Sequence, residues 1–332
     1  MKNNKTPYPY KFGGRLTKNF PSQIIVDITE VCNLACVHCP HPEFKVSKNY
    51  ARRFLSPELN KKMVDEVRTE GGDCQYIRYT SNGEPLIHPK GYEMIQYAVD
   101  HSHTFVCLTT NGTIMKEKKT KQLLATGVHM IDISIDAFKK DTYAKIRVNG
   151  DLDVTRKNVQ TLLKWVKETN SKTKVIVSFV EQPSNTTEIE EFKDFWENAG
   201  AYRAVIRRLH SAAGSVDSIK EQLENTTEKR YPCLYPWERL TLDPRGDLAF
   251  CPTDWGYNSA VNNFNDHTIK EVWGSSFMKN LREAHLKNDF SCHKFCGQCP
   301  DWQQTRWPQQ VGSSYADLVQ ELKNETQPVE NS

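Results

Sequence analysis

The chain has 332 residues, enough for two average domains or one large α/β domain with an appendage, and enough to bury a core without disulfides. Its 44 Lys and Arg against 41 Asp and Glu leave a formal net charge of +3, so nothing announces a nucleic-acid or membrane partner, and no apolar run reaches the length of a membrane span. The opening MKNNKTPYPYKFGG lacks the apolar stretch of a secretory signal, so the ten cysteines point to metal or redox chemistry in a reducing cytoplasm rather than to a disulfide framework.

After an N-terminal extension over residues 1–22, six apolar or β-branched runs read as strands, at 24–29, 76–81, 104–110, 129–136, 173–180 and 202–209. Helical spacing falls between them. The first helix opens at Ser56-Pro57-Glu58, with serine as N-cap and proline in the first turn; others read near 90–101, 115–126, 153–169 and 187–198. This alternation predicts an α/β fold over residues 23–210, a parallel sheet with helices outside it. About six units are too few to close an eight-fold barrel, so the expectation is a partial, open TIM-like barrel. A polar linker over 211–230 leads to a small α+β domain over 231–310, and 311–332 supply a C-terminal helix, expected on the outside, and a disordered tail.

The cysteines divide unevenly. The spacing CxxxCxxC occurs at Cys32, Cys36, Cys39 and again at Cys292, Cys296, Cys299. Random scattering of ten cysteines produces a given triple spacing about 0.01 times in such a chain, so two copies are not accidental. Three thiolates on one loop can hold three irons of a cubane cluster and leave the fourth open to a small molecule; four protein thiolates make a closed cluster suited to electron transfer. Cys233 and Cys251 lie nearer the C-terminal triple, so completion is expected there. A closed zinc site is the alternative for that second group. Cys74 and Cys107 read as small buried residues.

Ligands in such folds bind at the C-terminal ends of the strands. On that rim stand Thr29-Glu30 and the Cys32 loop, then Ser81-Asn82-Gly83-Glu84-Pro85. Thr110-Asn111-Gly112, Ser134 with Asp136, and Glu181 follow. Each has a plain alternative as a turn or a helix cap. Their arrival on one edge above the cysteine loop favours a shared site.

The chain resembles the radical S-adenosylmethionine (SAM) superfamily. The resemblance rests on Cys32-Asn-Leu-Ala-Cys36-Val-His38-Cys39 after strand one. It is supported by Asn82-Gly83-Glu84-Pro85, similar to the motif for the methionine amino group, and by Ser134-Ile135-Asp136, similar to the signature near the ribose. Arg147 resembles a position reaching the methionine carboxylate, and His38 stands where an aromatic residue is usual. The resemblance implies a 4Fe–4S cluster on Cys32, Cys36 and Cys39, with SAM contacted by His38, Asn82, Gly83, Glu84, Asn111, Ser134, Asp136 and Arg147. Reductive cleavage of SAM would give a 5′-deoxyadenosyl radical, which abstracts a substrate hydrogen; a flavodoxin- or ferredoxin-type protein would supply the electron.

The C-terminal part resembles the SPASM/twitch extensions that hold auxiliary clusters. Tyr231-Pro-Cys233, Trp237, a strand–Asp-Pro-Arg-Gly–strand hairpin, Cys251-Pro-Thr-Asp-Trp255 and Cys296-Gly-Gln-Cys299 carry this likeness. It implies a second 4Fe–4S cluster on Cys233, Cys251, Cys296 and Cys299, with Cys292 left over. The cysteine spacing is close to that of 2-deoxy-scyllo-inosamine dehydrogenase-like, sugar-modifying members. That implies a small sugar or cyclitol as substrate, oxidised to a ketone through the auxiliary cluster. Epimerisation with Cys292 as hydrogen donor, or modification of a peptide, is the alternative enzyme reading, and a metal-stabilised scaffold the non-enzyme one. Glu181, Arg208 and His210, with Arg207 beside them, are the candidates for binding or deprotonating the substrate; Arg207 and Arg208 are adjacent, so at most one faces inward.

Overall fold

Alternating β-branched runs and amphipathic helices fold here into one continuous sheet with helices on its outer face. The computed structural model describes residues 17–224, 230–304 and 315–326. Expectations for residues 1–16, 225–229, 305–314 and 327–332 lie outside the described residues. The strands are β1 (Gln23–Asp27), β2 (Tyr76–Thr80), β3 (Phe105–Thr110), β4 (Met130–Ser134), β5 (Lys174–Val180), β6 (Arg203–Arg207), β7 (Arg239–Leu242), β8 (Asp247–Ala249) and β9 (Ala260–Asn263). Their order is β6-β5-β4-β3-β2-β1-β7-β8-β9. β1 to β6 are parallel, and the two end strands of the order do not meet, so the barrel is open.

Helices Pro57–Glu70, Gly91–His101, Glu117–Ala125, Leu152–Glu168 and Ile189–Asn198 lie in the crossovers. The Ser56 hydroxyl accepts from the Leu59 N–H, as the Ser-Pro signal requires. Asp151 accepts from Asp153 and Val154 and starts the next long helix at Leu152. The period-two pattern sorts side chains cleanly. Ile24, Val26, Ile77, Tyr79, Val106, Leu108, Ile131 and Val177 face the helices, while Ile25, Tyr76, Phe105, Cys107, Met130 and Ile176 line the inner face. Cys74 and Cys107 are buried core residues.

Two features differ from the sequence reading. The hairpin β7–β8, turned by Asp243-Pro-Arg-Gly246 with Gly246 at φ +85°, does not stand apart: β7 pairs parallel to β1 and extends the barrel sheet. The C-terminal helix Tyr315–Thr326 packs not on the outside but on the inner face, where Leu318, Val319 and Leu322 join Ile25, Tyr76 and Met130. Apolar side chains at helical spacing predict burial but not which face receives it. Glu321 fixes the helix by accepting from Tyr202 and from Arg203 of β6. Among the described residues no helix is long and apolar enough to cross a membrane.

Candidate active site

β1 delivers the chain through Thr29 and Glu30 into the Cys32–Cys39 loop, and the surrounding rim grips that loop by its backbone. Ala35 N–H donates to Val148 O and Val37 N–H to Ile146 O, both at 3.0 Å. Asn111 Nδ2 donates to Asn33 Oδ1 at 3.0 Å, and Asn33 Nδ2 to Thr113 Oγ1 at 2.8 Å. Arg147, 7% exposed, reaches Cys36 Sγ at 3.5 Å and Asp136 Oδ2 at 2.5 Å. Asp136 is fully buried at φ +64°, a conformation held by its Oδ1 accepting from Val180 N–H. His38 stands against the same carboxylate, Nε2 to Oδ2 3.4 Å, and burial pulls its pKa down to about 4. Ser134 is half-buried at the end of β4, in register with Ser178.

The three thiols share one desolvated place. Burial pushes Cys32 and Cys39 up to about 12 and raises Cys36, whose thiolate Arg147 favours. Left to themselves these thiols stay protonated; a bound metal centre is what converts such a set to thiolates. The donor set therefore fits a cluster held at three corners.

The second strand's loop is pressed against this one. A Cβ on Gly83 would lie 2.1 Å from Thr29 O and 2.8 Å from Val31 O, so only glycine allows the approach. Glu84 N–H then donates to Val31 O at 2.9 Å. The Glu84 carboxylate, 2% exposed, accepts from Thr110 Oγ1 (2.6 Å), Asn111 N (2.8 Å) and Leu86 N (3.1 Å). It braces β2 to β3 and presents the loop's backbone to the rim. Asn82 N–H donates to Asp27 Oδ1 at 3.1 Å. Gly83→Ala is expected to destabilise the fold by about 1–3 kcal/mol, the usual cost of overpacking, read as a lower urea midpoint.

Below the rim, the inner face carries a polar layer of which the sequence reading singled out only Arg207. Asp132, fully buried, accepts from Arg207 Nη2 (2.8 Å), Arg78 Nη2 (3.3 Å) and Ser178 Oγ (2.5 Å). Arg78 also donates to Thr109 Oγ1, and Arg207 Nε to Ser178 Oγ. Charged residues at alternate positions of otherwise apolar strands were the available signal. Of the adjacent arginines, Arg207 faces inward; Arg208 is exposed, as are Glu181 and His210.

A second site lies where the hairpin meets the C-terminal segment. Cys233, Cys251, Cys296 and Cys299 line one cavity with Arg230, Tyr235, Phe250, His285, Phe295 and Trp302. All ten cysteines are free thiols. Burial raises Cys251 to about 12 and raises Cys296 and Cys299 as well. Among the described residues no three His, Cys, Asp or Glu side chains form a single-ion site; these sulfurs stand round a space instead. Cys292 is exposed and is not among the lining residues; its sulfur is 4.0 Å from Ser291 Oγ. The two sites are tied together. Tyr257 donates to Glu30 at 2.6 Å, Ser81 to Pro252 O at 3.0 Å, and Asp301, just after Cys299, accepts from Ser211 and Ala213.

A profile of the Radical SAM superfamily matches residues 26–194, and SPASM, an iron–sulfur cluster-binding domain, matches residues 233–300. Among curated relatives, mycofactocin maturase MftC of Mycobacterium tuberculosis is 25% identical over 318 residues, covering 84% of this chain and 76% of the relative. An AdoMet-dependent heme synthase of Methanosarcina barkeri is 31% identical over 147 residues, 44% of this chain and 40% of that protein. Among solved structures, BtrN in complex with AdoMet and 2-DOIA aligns with TM-score 0.60 and 16% identity, over 85% of this chain and 94% of that one. Streptococcus suis SuiB bound to precursor peptide SuiA aligns with TM-score 0.62 and 13% identity, over 91% and 73%. The structural likenesses show a shared fold.

Proposed function

The chain belongs to the radical SAM superfamily, and from that premise we propose that it dehydrogenates a small, hydroxyl-rich substrate such as a sugar or cyclitol. A 4Fe–4S cluster and SAM come with the first domain, and further iron–sulfur with the SPASM domain. When bound, the first cluster and SAM would supply a 5′-deoxyadenosyl radical able to remove the carbinol hydrogen atom, after which the auxiliary cluster would accept the remaining electron and a base the hydroxyl proton, leaving a ketone.

The rest falls to the chain's own residues. Cys32, Cys36 and Cys39 hold the first cluster at three corners, and Arg147 keeps the Cys36 thiolate and Asp136 together. The loops at Asn82–Glu84, Asn111, Ser134 and Asp136 would surround the cofactor, with His38 against Asp136 on one side. Cys233, Cys251, Cys296 and Cys299 would hold the auxiliary cluster beside the aromatic side chains of Tyr235, Phe250, Phe295 and Trp302. A flavodoxin- or ferredoxin-type protein is the proposed electron donor.

The observation that carries the substrate reading is the Arg78–Thr109–Asp132–Ser178–Arg207 layer, a set of directional donors and acceptors on the inner face beneath the cofactor rim. Such a layer suits a compact polar ligand that must present one carbon to the radical. The second reading, modification of a peptide, is favoured by the likeness to SuiB, which was solved bound to a precursor peptide. Cys292 is exposed and outside the lining of the four-cysteine cavity, which weighs against it as the donor in an epimerisation.

Deuterated substrates separate these readings. Polyhydroxylated rings that pass deuterium into 5′-deoxyadenosine and emerge as the ketone support dehydrogenation; transfer only from a peptide overturns it. On the first reading Arg207→Gln lowers coupled turnover by at least about tenfold, one lost charge-assisted hydrogen bond, while uncoupled SAM cleavage stays near wild type.

A further inference from the structure

The four thiols are not the only polar side chains that line the auxiliary cavity. Two N–H groups on its lining side chains, His285 Nε2 and Arg230 Nε, are buried and have no hydrogen-bond partner. A buried donor left unmade costs about 1–3 kcal/mol, so each calls for an acceptor.

His285 sits in the last turn of helix Ser276–Lys287 and is 3% exposed. Its Nδ1 accepts from the backbone N–H of Cys233 at 3.3 Å, so in the neutral ring the proton is on Nε2. Trp237 and Phe290 meet the ring edge-on, with centroids at 6.1 Å and 4.9 Å, and hold it in one orientation. The imidazole is thus anchored to one proposed cluster ligand by one nitrogen and leaves the other nitrogen a donor. Arg230 is fixed just as firmly. It donates to Cys296 O (2.5 Å) and Gly297 O (3.0 Å) and stacks on Phe290 at 4.1 Å.

We propose that His285 Nε2–H donates a hydrogen bond to a sulfur of the auxiliary 4Fe–4S cluster and thereby raises that cluster's reduction potential, poising it to accept an electron. The inference rests on the reading that the four-cysteine cavity holds a cubane cluster. Hydrogen bonds to cluster sulfurs stabilise the more negative, reduced state, and a mostly apolar lining strengthens the effect. The Arg230 guanidinium acts in the same direction through its charge. His285 is a positioning and tuning residue, not a catalytic one.

The test uses the full-length chain with Cys32, Cys36 and Cys39 all changed to alanine, so that only the auxiliary cluster titrates. Iron and sulfide of about four each per chain establish the cluster; their absence overturns the four-cysteine reading and this inference with it. With the cluster present, His285→Leu is expected to shift the midpoint potential, followed by EPR, to more negative values at unchanged iron content. His285→Gln, whose amide N–H has similar reach, restores most of the difference. Equal potentials in parent and His285→Leu, or a positive shift, overturn the proposal. Protein labelled with ¹⁵N-histidine gives a measurement that needs no variant: pulsed EPR of the reduced cluster shows a weak nitrogen coupling, and a loaded cluster without one contradicts the hydrogen bond.

Discussion

Cys32→Ala abolishes formation of 5′-deoxyadenosine from SAM while leaving the fold intact. The loop's shape does not depend on this sulfur. Its backbone is held by Val148 and Ile146, its Asn33 by Asn111 and Thr113, and its centre by Arg147 on Cys36. Thermal melting and far-UV circular dichroism should therefore match wild type. What is lost is one of three proposed corners, and a cluster held by two thiolates has no remaining protein donor of the right kind on the loop. Reconstituted iron should fall from about eight to about four per chain, with SAM cleavage at background. Persistent cleavage in a chain retaining only the auxiliary cluster would remove the catalytic assignment of this loop.

Cys296→Ala divides the chemistry differently. Cys296, 8% exposed on helix Lys294–Gln298, lines the cavity shared with Cys233, Cys251 and Cys299. Its loss removes the auxiliary cluster, so about four irons remain and SAM is still cleaved in the uncoupled reaction. Product formation falls to background because the second electron has no acceptor. Cys292→Ala, at an exposed thiol, should change neither iron content nor product. The reverse pattern, with Cys292 needed and Cys296 dispensable, would show that the ligand set is misassigned.

Much of this was readable from spacing because cysteine chemistry is local. Two triples, a Ser-Pro helix start and period-two apolar runs each depend on neighbours in sequence. What escaped depends on partners far along the chain. Nothing in residues 239–242 says that β7 pairs with β1, since the register Gln23↔Arg239 is set by long-range packing. That Arg207 rather than Arg208 faces inward follows from the phase of β6 against β5, which alternation alone leaves open. Asp132 was visible as a charge inside an apolar strand, yet its meaning appears only when Arg78 and Arg207 arrive from strands 54 and 75 residues away in sequence. The orphan nitrogens of His285 and Arg230 likewise exist only once the helix Ser276–Lys287 is docked beside the four thiols.

The central claim is that one chain holds two chemically different clusters, one on three cysteines and one on four. Iron and acid-labile sulfide, counted after anaerobic reconstitution of wild type and of the Cys32/Cys36/Cys39 triple alanine variant, test it most directly. About eight of each in wild type and about four in the variant are the predicted result. Zinc in place of iron, or complete loss of iron in the triple variant, would contradict it.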